Sequence, residues 1–354
     1  GLDYSFNNSV SGNKIANNHD GIYLNASSHC NTIIENNIST NVKHGILAEN
    51  SSENRIAANS IRRNEIGVRL FYSENNQISG NDLTENEIAG FELYNSSDNT
   101  ISLNSIYLTS GSGVLIERFS SNNTLSLNNV TRNPIGISMY DLSAHNAIFG
   151  NDLKDNNCGI NINNSTENLF YHNNLLNNTQ QILNALHSKN HWDAGYINGG
   201  NFWSNYSGQD ICFGQFQNET GFDWIGDLSH IIDQDNADRY PLTQSFIPEM
   251  EEIRMAYRSL LVKYTEVTSN PDSLTLNFTE LQKEFDFLRN RISFVEGQIV
   301  ELDSTIKEME GLLADLQEQV NSLKDQMNNI VTMMYIFMAL TTILIVTIIY
   351  LALR

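Results

Sequence analysis

A set of charged and aromatic residues recurs in the first half of the chain at a step of 23 residues. Aromatic rings stack on sugar rings, and carboxylates and amides bond sugar hydroxyls, so such residues on one face suit a carbohydrate-binding groove. Clustered carboxylates, alone or with arginine, also serve glycosidases and polysaccharide lyases. An ordinary solvated sheet face has the same mixture, and we assign no catalytic residue. The candidate binding residues are Arg69, Phe71, Glu92, Tyr94, Glu117 and Tyr140.

A second set of carboxylates lies between residues 218 and 238, without the spacing of an EF-hand loop. Calcium takes about six to eight oxygen ligands, and loops rich in aspartate supply several of them. Aspartate is also common in turns for purely structural reasons. Calcium is therefore the candidate cofactor of this stretch, with candidate ligands Asp223, Asp227, Asp233, Asp235 and Asp238.

Histidine and cysteine are scattered and form no metal-ligand pattern. The eight histidines include no His-x-His pair, and the methionines concentrate toward the C-terminal end of the chain. Copper favours imidazole, thiolate and thioether ligands in close groups, so we do not expect copper binding. The three cysteines, Cys30, Cys158 and Cys212, form no CxxC pair, and we expect them to be structural.

Asparagine and glycine define an internal repeat. The motif Asn-x-Ile-x-x-Asn-x-Ile-x-x-Asn-x-x-Gly-Ile-x-Leu returns after 22 to 24 residues. Apolar residues alternate with polar ones inside each repeat, which is typical of half-buried strands. Asparagine and glycine bound each short strand, and both tolerate the left-handed backbone angles of corners. The repeat glycines are Gly21, Gly45, Gly67, Gly90, Gly113, Gly136 and Gly159.

This repeat predicts an all-β right-handed parallel β-helix, a solenoid head, over residues 1–188. Equivalent residues of successive coils stack, so asparagine amides should form ladders and isoleucines a continuous core. About eight coils at roughly 4.8 Å each make a rod. The sequence lacks the 3.6-residue apolar period that the outer segment of a leucine-rich repeat would require.

The segment 189–247 interrupts the repeat and is predicted to cap the β-helix. An open solenoid end exposes strand edges and core, and therefore needs a cover. Aromatic residues supply apolar bulk in a segment otherwise rich in glycine and asparagine; a sugar-stacking platform is the alternative use. These residues are Trp192, Phe202, Trp203, Tyr206, Phe213, Phe216, Phe222 and Trp224.

Three elements of this cap, with the preceding repeats, resemble the NosD-type β-helix family. They are Trp192-Asp193, the run Gly-Gly-Asn-Phe-Trp-Ser at 199–204, and Asp-Arg-Tyr-Pro-Leu at 238–242. The resemblance covers roughly residues 1–245. It implies an archaeal surface protein within a wider group of carbohydrate-binding proteins and sugar hydrolases, in a family named after a copper-site maturation factor. Members often carry an acidic stretch before Ile-Gly-Asp, which implies calcium; here aromatic residues replace two of its positions.

Beyond residue 247 the composition becomes helical. A helix is predicted from about Glu249 to Val267, and apolar residues then alternate in steps of four and three from Leu274 to Ile330. Such a seam predicts a left-handed coiled coil and favours a parallel homodimer, with a trimer left open. The 23 uncharged residues before Arg354 are long enough to span a bilayer. We therefore predict a coiled-coil stalk over 248–330 and a single transmembrane helix over 331–353.

The charge balance limits the partners. Lys plus Arg is 20 and Asp plus Glu is 41, and the resulting net charge of −21 disfavours nucleic acid. With the C-terminal span in the cell membrane, head and stalk are expected outside the cell. An exported chain of this kind is expected to be a glycoprotein. Its sequons include Asn25, Asn50, Asn95, Asn122, Asn205, Asn218 and Asn277.

These features together predict a membrane-anchored cell-surface protein whose head binds or scaffolds envelope glycans or proteins. One alternative is a surface-anchored polysaccharide lyase, hydrolase or epimerase, which convergence of Arg69, Glu92 and Glu117 in a cleft would favour. A second alternative is a NosD-like accessory protein for copper-site maturation.

Overall fold

The structure of the chain is a computed structural model that describes residues 1–184 and 188–269, together with residues 289, 291 and 324. The first of these ranges winds into a right-handed parallel β-helix of about eight coils. Three parallel sheets, named A, B and C here, run along the β-helix, and their strands are numbered along the chain. The predicted fold of the head is confirmed.

Each coil contributes one strand to each sheet, so the strands of one sheet are every third strand of the chain. Sheet A contains β1 (Leu2–Asp3), β4 (Ile22–Asn25), β7 (His44–Glu49), β10 (Ile66–Phe71), β13 (Ala89–Tyr94), β16 (Ser112–Glu117), β19 (Ile135–Met139), β22 (Cys158–Ile162) and β25 (Gln180–Asn184).

The two other sheets have shorter strands. Sheet B contains β2 (Ser9–Ser11), β5 (Thr32–Ile34), β8 (Arg55–Ala57), β11 (Gln77–Ser79), β14 (Thr100–Ser102), β17 (Thr124–Ser126), β20 (Ala147–Phe149) and β23 (Leu169–Tyr171). Sheet C contains β3 (Lys14–Ala16), β6 (Asn37–Ser39), β9 (Ser60–Arg62), β12 (Asp82–Thr84), β15 (Ser105–Tyr107), β18 (Asn129–Thr131), β21 (Asp152–Lys154), β24 (Asn174–Leu176) and β26 (Phe202–Trp203).

The core is a stack of aliphatic side chains, one layer per coil. Ile56 pairs with Ile78 in sheet B, and Ile61 with Leu83 in sheet C, and all four side chains are buried. Their strand neighbours face outward because side chains alternate along a strand. Complete burial of one such side chain contributes about 1.5–3 kcal/mol. Because each coil adds an equivalent buried layer, this stabilisation is repeated along the β-helix.

Asparagine ladders join the coils at three corners, as the sequence predicts. In one of them the Nδ2 of Asn104 donates to Oδ1 of Asn128 at 3.0 Å, and the backbone N–H of Asn104 donates to the same oxygen at 3.0 Å. Asn128 repeats both bonds to Asn151, at 2.9 and 3.0 Å. Each buried amide therefore satisfies corner groups that the sheets leave unpaired.

Glycine is the second residue of most sheet A strands because successive coils approach closely there. A Cβ added to Gly90 would lie 2.5 Å from Cγ2 of Ile106 and 2.7 Å from the oxygen of Gly113. These distances leave no room for a side chain. The corner residues beside the ladders behave differently: Ala58 and Gly80 adopt φ of +52° and +63°, and a Cβ added to Gly80 would meet nothing within 4 Å.

Two tryptophans of the cap cover the end of the core, and buried hydrogen bonds hold this part of the cap in place. Trp192 stacks on Phe170 with ring centroids 4.4 Å apart, and Trp203 lies 5.9 Å from Trp192. The indole N–H of Trp203 donates to Asp238 at 2.8 Å, and the backbone N–H of Asn201 donates to the same carboxylate at 2.7 Å. Two short antiparallel pairs complete the cap: β27 (Cys212–Phe213) with β28 (Glu219–Thr220), and β29 (His230–Ile231) with β30 (Ala237–Asp238).

Helix α1 (Pro248–Ser269) begins within one residue of its predicted start and packs on the cap through buried charges. Arg258 is completely buried and donates to the backbone oxygens of Asp223 at 2.7 Å and Ile197 at 2.8 Å, and to Glu251 at 2.6 Å. Arg254 is also buried, 3.4 Å from Glu251. The first part of the predicted stalk is thus joined to the head by buried hydrogen bonds, and Tyr257 of the helix also contacts the rings of Phe222 and Trp224.

The heptad seam and the apolar segment 331–353 lie outside the described residues, apart from single positions, so both stay predictions. In the part of the chain that the structure describes, no helix is both long enough and apolar enough to cross a membrane.

Candidate functional site

The candidate binding residues lie on the outer face of sheet A in parallel register. Arg69 pairs with Glu92, and Phe71 with Tyr94, between β10 and β13. Tyr94 in turn pairs with Glu117 of β16. The repeat step and the alternation of side chains therefore bring five of the six predicted residues together on one surface.

Tyr140, the sixth residue, lies one coil further on. Its backbone N–H donates to the oxygen of Ile116 at 2.9 Å, which continues the register just beyond β19. Its hydroxyl accepts a hydrogen bond from Nδ2 of Asn161 at 2.7 Å. Tyr140 thus extends the row of outward residues and is held by an amide.

An aromatic cluster forms the middle of this surface. The rings of Phe71 and Tyr94 lie 4.9 Å apart, and Tyr72 contacts Phe71 edge-on at 4.5 Å. The guanidinium of Arg69 lies 5.0 Å from the ring centre of Phe71 and 5.6 Å from that of Tyr94. These distances allow cation–π attraction, which holds Arg69 flat against the rings. Tyr72 stays 45% exposed, so the cluster offers ring surface to solvent.

Glu92 lies beneath this cluster and is nearly covered. Its carboxylate Oε2 is 3.0 Å from Nε of Arg69, and its side chain is 6% exposed. Burial raises the pKa of Glu92 to about 7; the positive charge of Arg69 opposes this rise, and the negative charge of Glu117 adds to it. A nearly covered carboxyl whose pKa lies near neutrality can act as a general acid or base.

Further acidic residues flank the cluster on the side of the first coils. Glu49 pairs in register with Phe71 and accepts a hydrogen bond from the hydroxyl of Tyr23. Burial and this bond raise the pKa of Tyr23 to about 12. Asp20 lies 2.6 Å from Nδ1 of His44, whose pKa is lowered by burial although Asp20 opposes the effect.

Four of the five aspartates predicted to bind calcium accept hydrogen bonds within the cap. Asp227 accepts the backbone N–H of residue 212 at 3.0 Å, and Asp233 accepts that of Asp235 at 2.8 Å. Asp223 and Asp238 are buried and accept hydrogen bonds from backbone and side-chain N–H groups, and burial raises the pKa of Asp238 to about 7. Calcium binding by these residues stays a prediction.

The sequence matches the model of one known protein family. The profile of the family described as "Periplasmic copper-binding protein (NosD)" matches residues 1–89 and 61–208. Together these ranges cover more than half of the chain. The chain belongs to the NosD family. The periplasmic description of the family agrees with an exported head, and a search of curated protein sequences found no significant match.

Several solved structures are similar to this NosD-family chain at low sequence identity. A periplasmic alginate epimerase, AlgG, is 21% identical over 52% of this chain and 46% of its own, with a TM-score of 0.45. The A-module of mannuronan C-5 epimerase AlgE4 from Azotobacter vinelandii is 18% identical over 52% and 57%, with a TM-score of 0.41. The Dettilon tailspike protein is 15% identical over 56% and 45%, with a TM-score of 0.42. The chain spans about half the length of these proteins.

The family description names copper, which binds only where suitable donor side chains are grouped. Copper sites gather imidazole, thiolate or thioether groups around one point. In residues 1–184 and 188–269, no three side chains of His, Cys, Asp or Glu are grouped so that they could hold an ion. His19 and His44 both contact Asp20, which bridges them as an acceptor at 2.8 and 2.6 Å. The described donors therefore do not fit a copper site.

Two features of the surface are not evident from periodicity alone. Tyr72 occupies a corner position, where the equivalent residues of adjacent coils are Asn50 and Asn95, so only its position directly after Phe71 could have indicated the third ring. The burial of Glu92 depends on the rotamer of the neighbouring Arg69 side chain, which sequence spacing does not predict.

Proposed function

We propose that the chain is a surface carbohydrate-binding protein that holds a neutral polysaccharide along the outer face of sheet A. The observation that carries the proposal is the part-exposed cluster of Phe71, Tyr72 and Tyr94 beside the Arg69–Glu92 pair. Aromatic faces bind the apolar C–H faces of sugars, and adjacent carboxyl and guanidinium groups bond their hydroxyls. Because the rings lie on successive coils, an extended polysaccharide can contact more than one of them.

The charges of this surface favour a neutral polymer. Arg69 is already paired with Glu92, while Glu49 and Glu117 add negative charge on either side. A chain of uronate or sulfate groups would meet like charges there, which is unfavourable. Neutral sugar hydroxyls can donate to the same carboxylates.

The experiment is retention of the purified full chain on immobilised neutral and uronate-bearing polysaccharides, with affinities from titration calorimetry. Tyr94→Ala should weaken binding to a retained neutral polymer about fivefold, because one aromatic contact contributes about 1 kcal/mol. Tyr171→Ala is the matched control, since Tyr171 stacks on Phe149 at 5.0 Å on the outer face of sheet B. Equal affinities of wild type and Tyr94→Ala, or loss only in the control, would contradict the proposal.

A second candidate is catalysis on the same surface: hydrolysis of the neutral polymer, or elimination or epimerisation of a uronate-bearing one. The observation that favours it is the nearly covered Glu92 carboxyl beside Arg69, whose pKa burial raises to about 7. Product analysis by mass spectrometry separates the two functions. Shortened or unsaturated products that disappear in Glu117→Gln would establish an enzyme, whereas a bound polymer of unchanged length supports binding.

We further propose that the head is displayed outside the cell on a homo-oligomeric coiled coil anchored by one transmembrane helix. The heptad seam from Leu274 to Ile330 and the uncharged segment 331–353 support this arrangement. A spacer of this kind suits a protein that reaches envelope glycans or neighbouring envelope proteins.

A further inference from the structure

A β-hairpin of the cap ends in a solvent-facing aromatic residue. Strands β27 and β28 pair antiparallel, with Cys212 opposite Thr220, and the connecting turn carries Phe216 and Asn218. Phe216 is 80% exposed, although an isolated phenylalanine at a turn has no packing role of its own. Asn218 is exposed two residues later and begins the sequon Asn218-Glu219-Thr220.

A cavity of about 550 Å³ opens beside this turn, between the hairpin and helix α1. Its apolar lining comes from both elements, and the sequon asparagine stands at its edge. The lining includes Tyr196, Phe213, Phe216, Asn218, Val262 and Thr265. The space is open to solvent and holds more than one sugar-sized group.

Sequons elsewhere in the head show why this asparagine is available. Ladder asparagines such as Asn128 are followed two residues later by a buried aliphatic residue, here Val130, so the repeat excludes them from sequons. Asn122 is an exposed corner asparagine within a sequon, but it has no aromatic residue two positions before it. Asn25 and Asn205 do follow an aromatic residue by two positions, but Asn25 is half-buried and Trp203 before Asn205 is buried. Asn218 is exposed, and Phe216 before it faces solvent.

We propose that Asn218 carries an N-linked glycan whose first sugars pack on Phe216 and occupy the cavity beside α1. In the transfer, Nδ2 of Asn218 attacks the anomeric carbon of a lipid-phosphate-linked oligosaccharide. The C–N bond forms as the bond from that carbon to the phosphate oxygen breaks. The lipid phosphate leaves with the electron pair, and the amide proton passes to a base of the transferase. The cavity thus receives an occupant that the chain itself carries, and this proposal does not depend on the carbohydrate-binding function.

Three variants of the full chain, purified from cells that have an oligosaccharyltransferase, test the proposal. Thr220→Val keeps a β-branched residue in the strand but removes the hydroxyl that the sequon needs, and Thr220→Ser keeps the sequon as the matched control. Phe216→Leu removes the ring. The readouts are the mass of the peptide that contains Asn218 and the melting temperature.

The peptide with Asn218 should carry an oligosaccharide mass in wild type and Thr220→Ser, and none in Thr220→Val. The glycosylated Thr220→Ser should melt about 2 °C above Thr220→Val when Phe216 is present, and this difference should vanish in the Phe216→Leu background. An unmodified Asn218 peptide in wild type overturns the proposal. An equal difference in both backgrounds overturns the packing on Phe216.

Discussion

The protonation of Glu92 is the residue-scale feature that solution measurements test most directly. Its folded pKa of about 7 lies above its ordinary value of 4.5, so the folded chain keeps a proton that the unfolded chain releases. The stabilisation is therefore complete below about pH 4.5 and is lost as pH rises through about 7. Glu92→Gln should remove this dependence, which amounts to at most about 3 kcal/mol.

Denaturant unfolding at a series of pH values checks this prediction through the difference between variant and wild type. The buried histidines titrate in the same range, but their contribution cancels in that difference. Glu74→Gln, an exposed carboxylate on the corner after sheet A, is the control and should leave the curve unchanged. Parallel curves for Glu92→Gln and wild type would show that Glu92 is ionised in both states.

Adjacent asparagines can differ in burial and in hydrogen bonding. Asn128 is 2% exposed and both donates to and accepts from its ladder neighbours, whereas Asn129 next to it faces solvent. Asn128→Ala leaves the N–H of Asn104 without its acceptor and should destabilise the chain by about 2–4 kcal/mol. Asn129→Ala should change stability by less than about 0.5 kcal/mol. Comparable losses in the two variants would argue against the ladder as a main source of stability.

The sequence predicts residue positions well where the repeat controls them. The register of Arg69 with Glu92 and of Phe71 with Tyr94 follows from the 23-residue step and from side-chain alternation. Burial of Glu92 could not be predicted, because it depends on rotamers of two long side chains on one surface. The cap aspartates could not be placed either, since irregular loops have no period to count.

At the scale of elements, the attachment of α1 depends on one buried arginine. Arg258→Met removes the donor to two backbone oxygens and to Glu251, so a buried carboxylate loses its main partner. The variant should lose about 3 kcal/mol of stability in the cap. Hydrogen exchange across residues 190–247 should accelerate, while exchange in the central coils should stay slow.

Arg118→Met is the control for this change. It removes the same side chain from an exposed corner, where Arg118 pairs with Asp141 at 3.1 Å and both side chains are about half exposed. It should leave exchange in the cap unaltered. Protection of the cap that persists in Arg258→Met would show that apolar contacts alone hold the helix.

Sequence analysis places the helix but not its packing. The composition change after residue 247 and the break at Asn270-Pro271 bound the predicted helix at about 249–267, close to the observed Pro248–Ser269. Glu251, Arg254 and Arg258 share one helix face, but the same spacing is common on solvated helices. Only the carbonyl groups offered by the cap decide that these charges are buried.

At the scale of the whole molecule, the heptad seam predicts association of complete chains. Leu302→Lys places a charge in the seam and should weaken association by about two orders of magnitude, because burial of one leucine contributes about 2–3 kcal/mol. Glu301→Lys introduces the same residue one position earlier, outside the seam. Sedimentation of the full chain in detergent should show dimers for wild type and Glu301→Lys and monomers for Leu302→Lys. Dimers in all three would place the contact elsewhere.

The asparagine ladders also shape how such a head can change over generations. Successive coils present the same amides to one another at this corner, as Asn104, Asn128 and Asn151 do, so an inserted coil can continue the ladder. A gene that gains or loses one such unit keeps every ladder in phase, while the outward positions accumulate substitutions freely. The length of the outer face of sheet A can therefore evolve in whole coils, separately from the side chains that it carries.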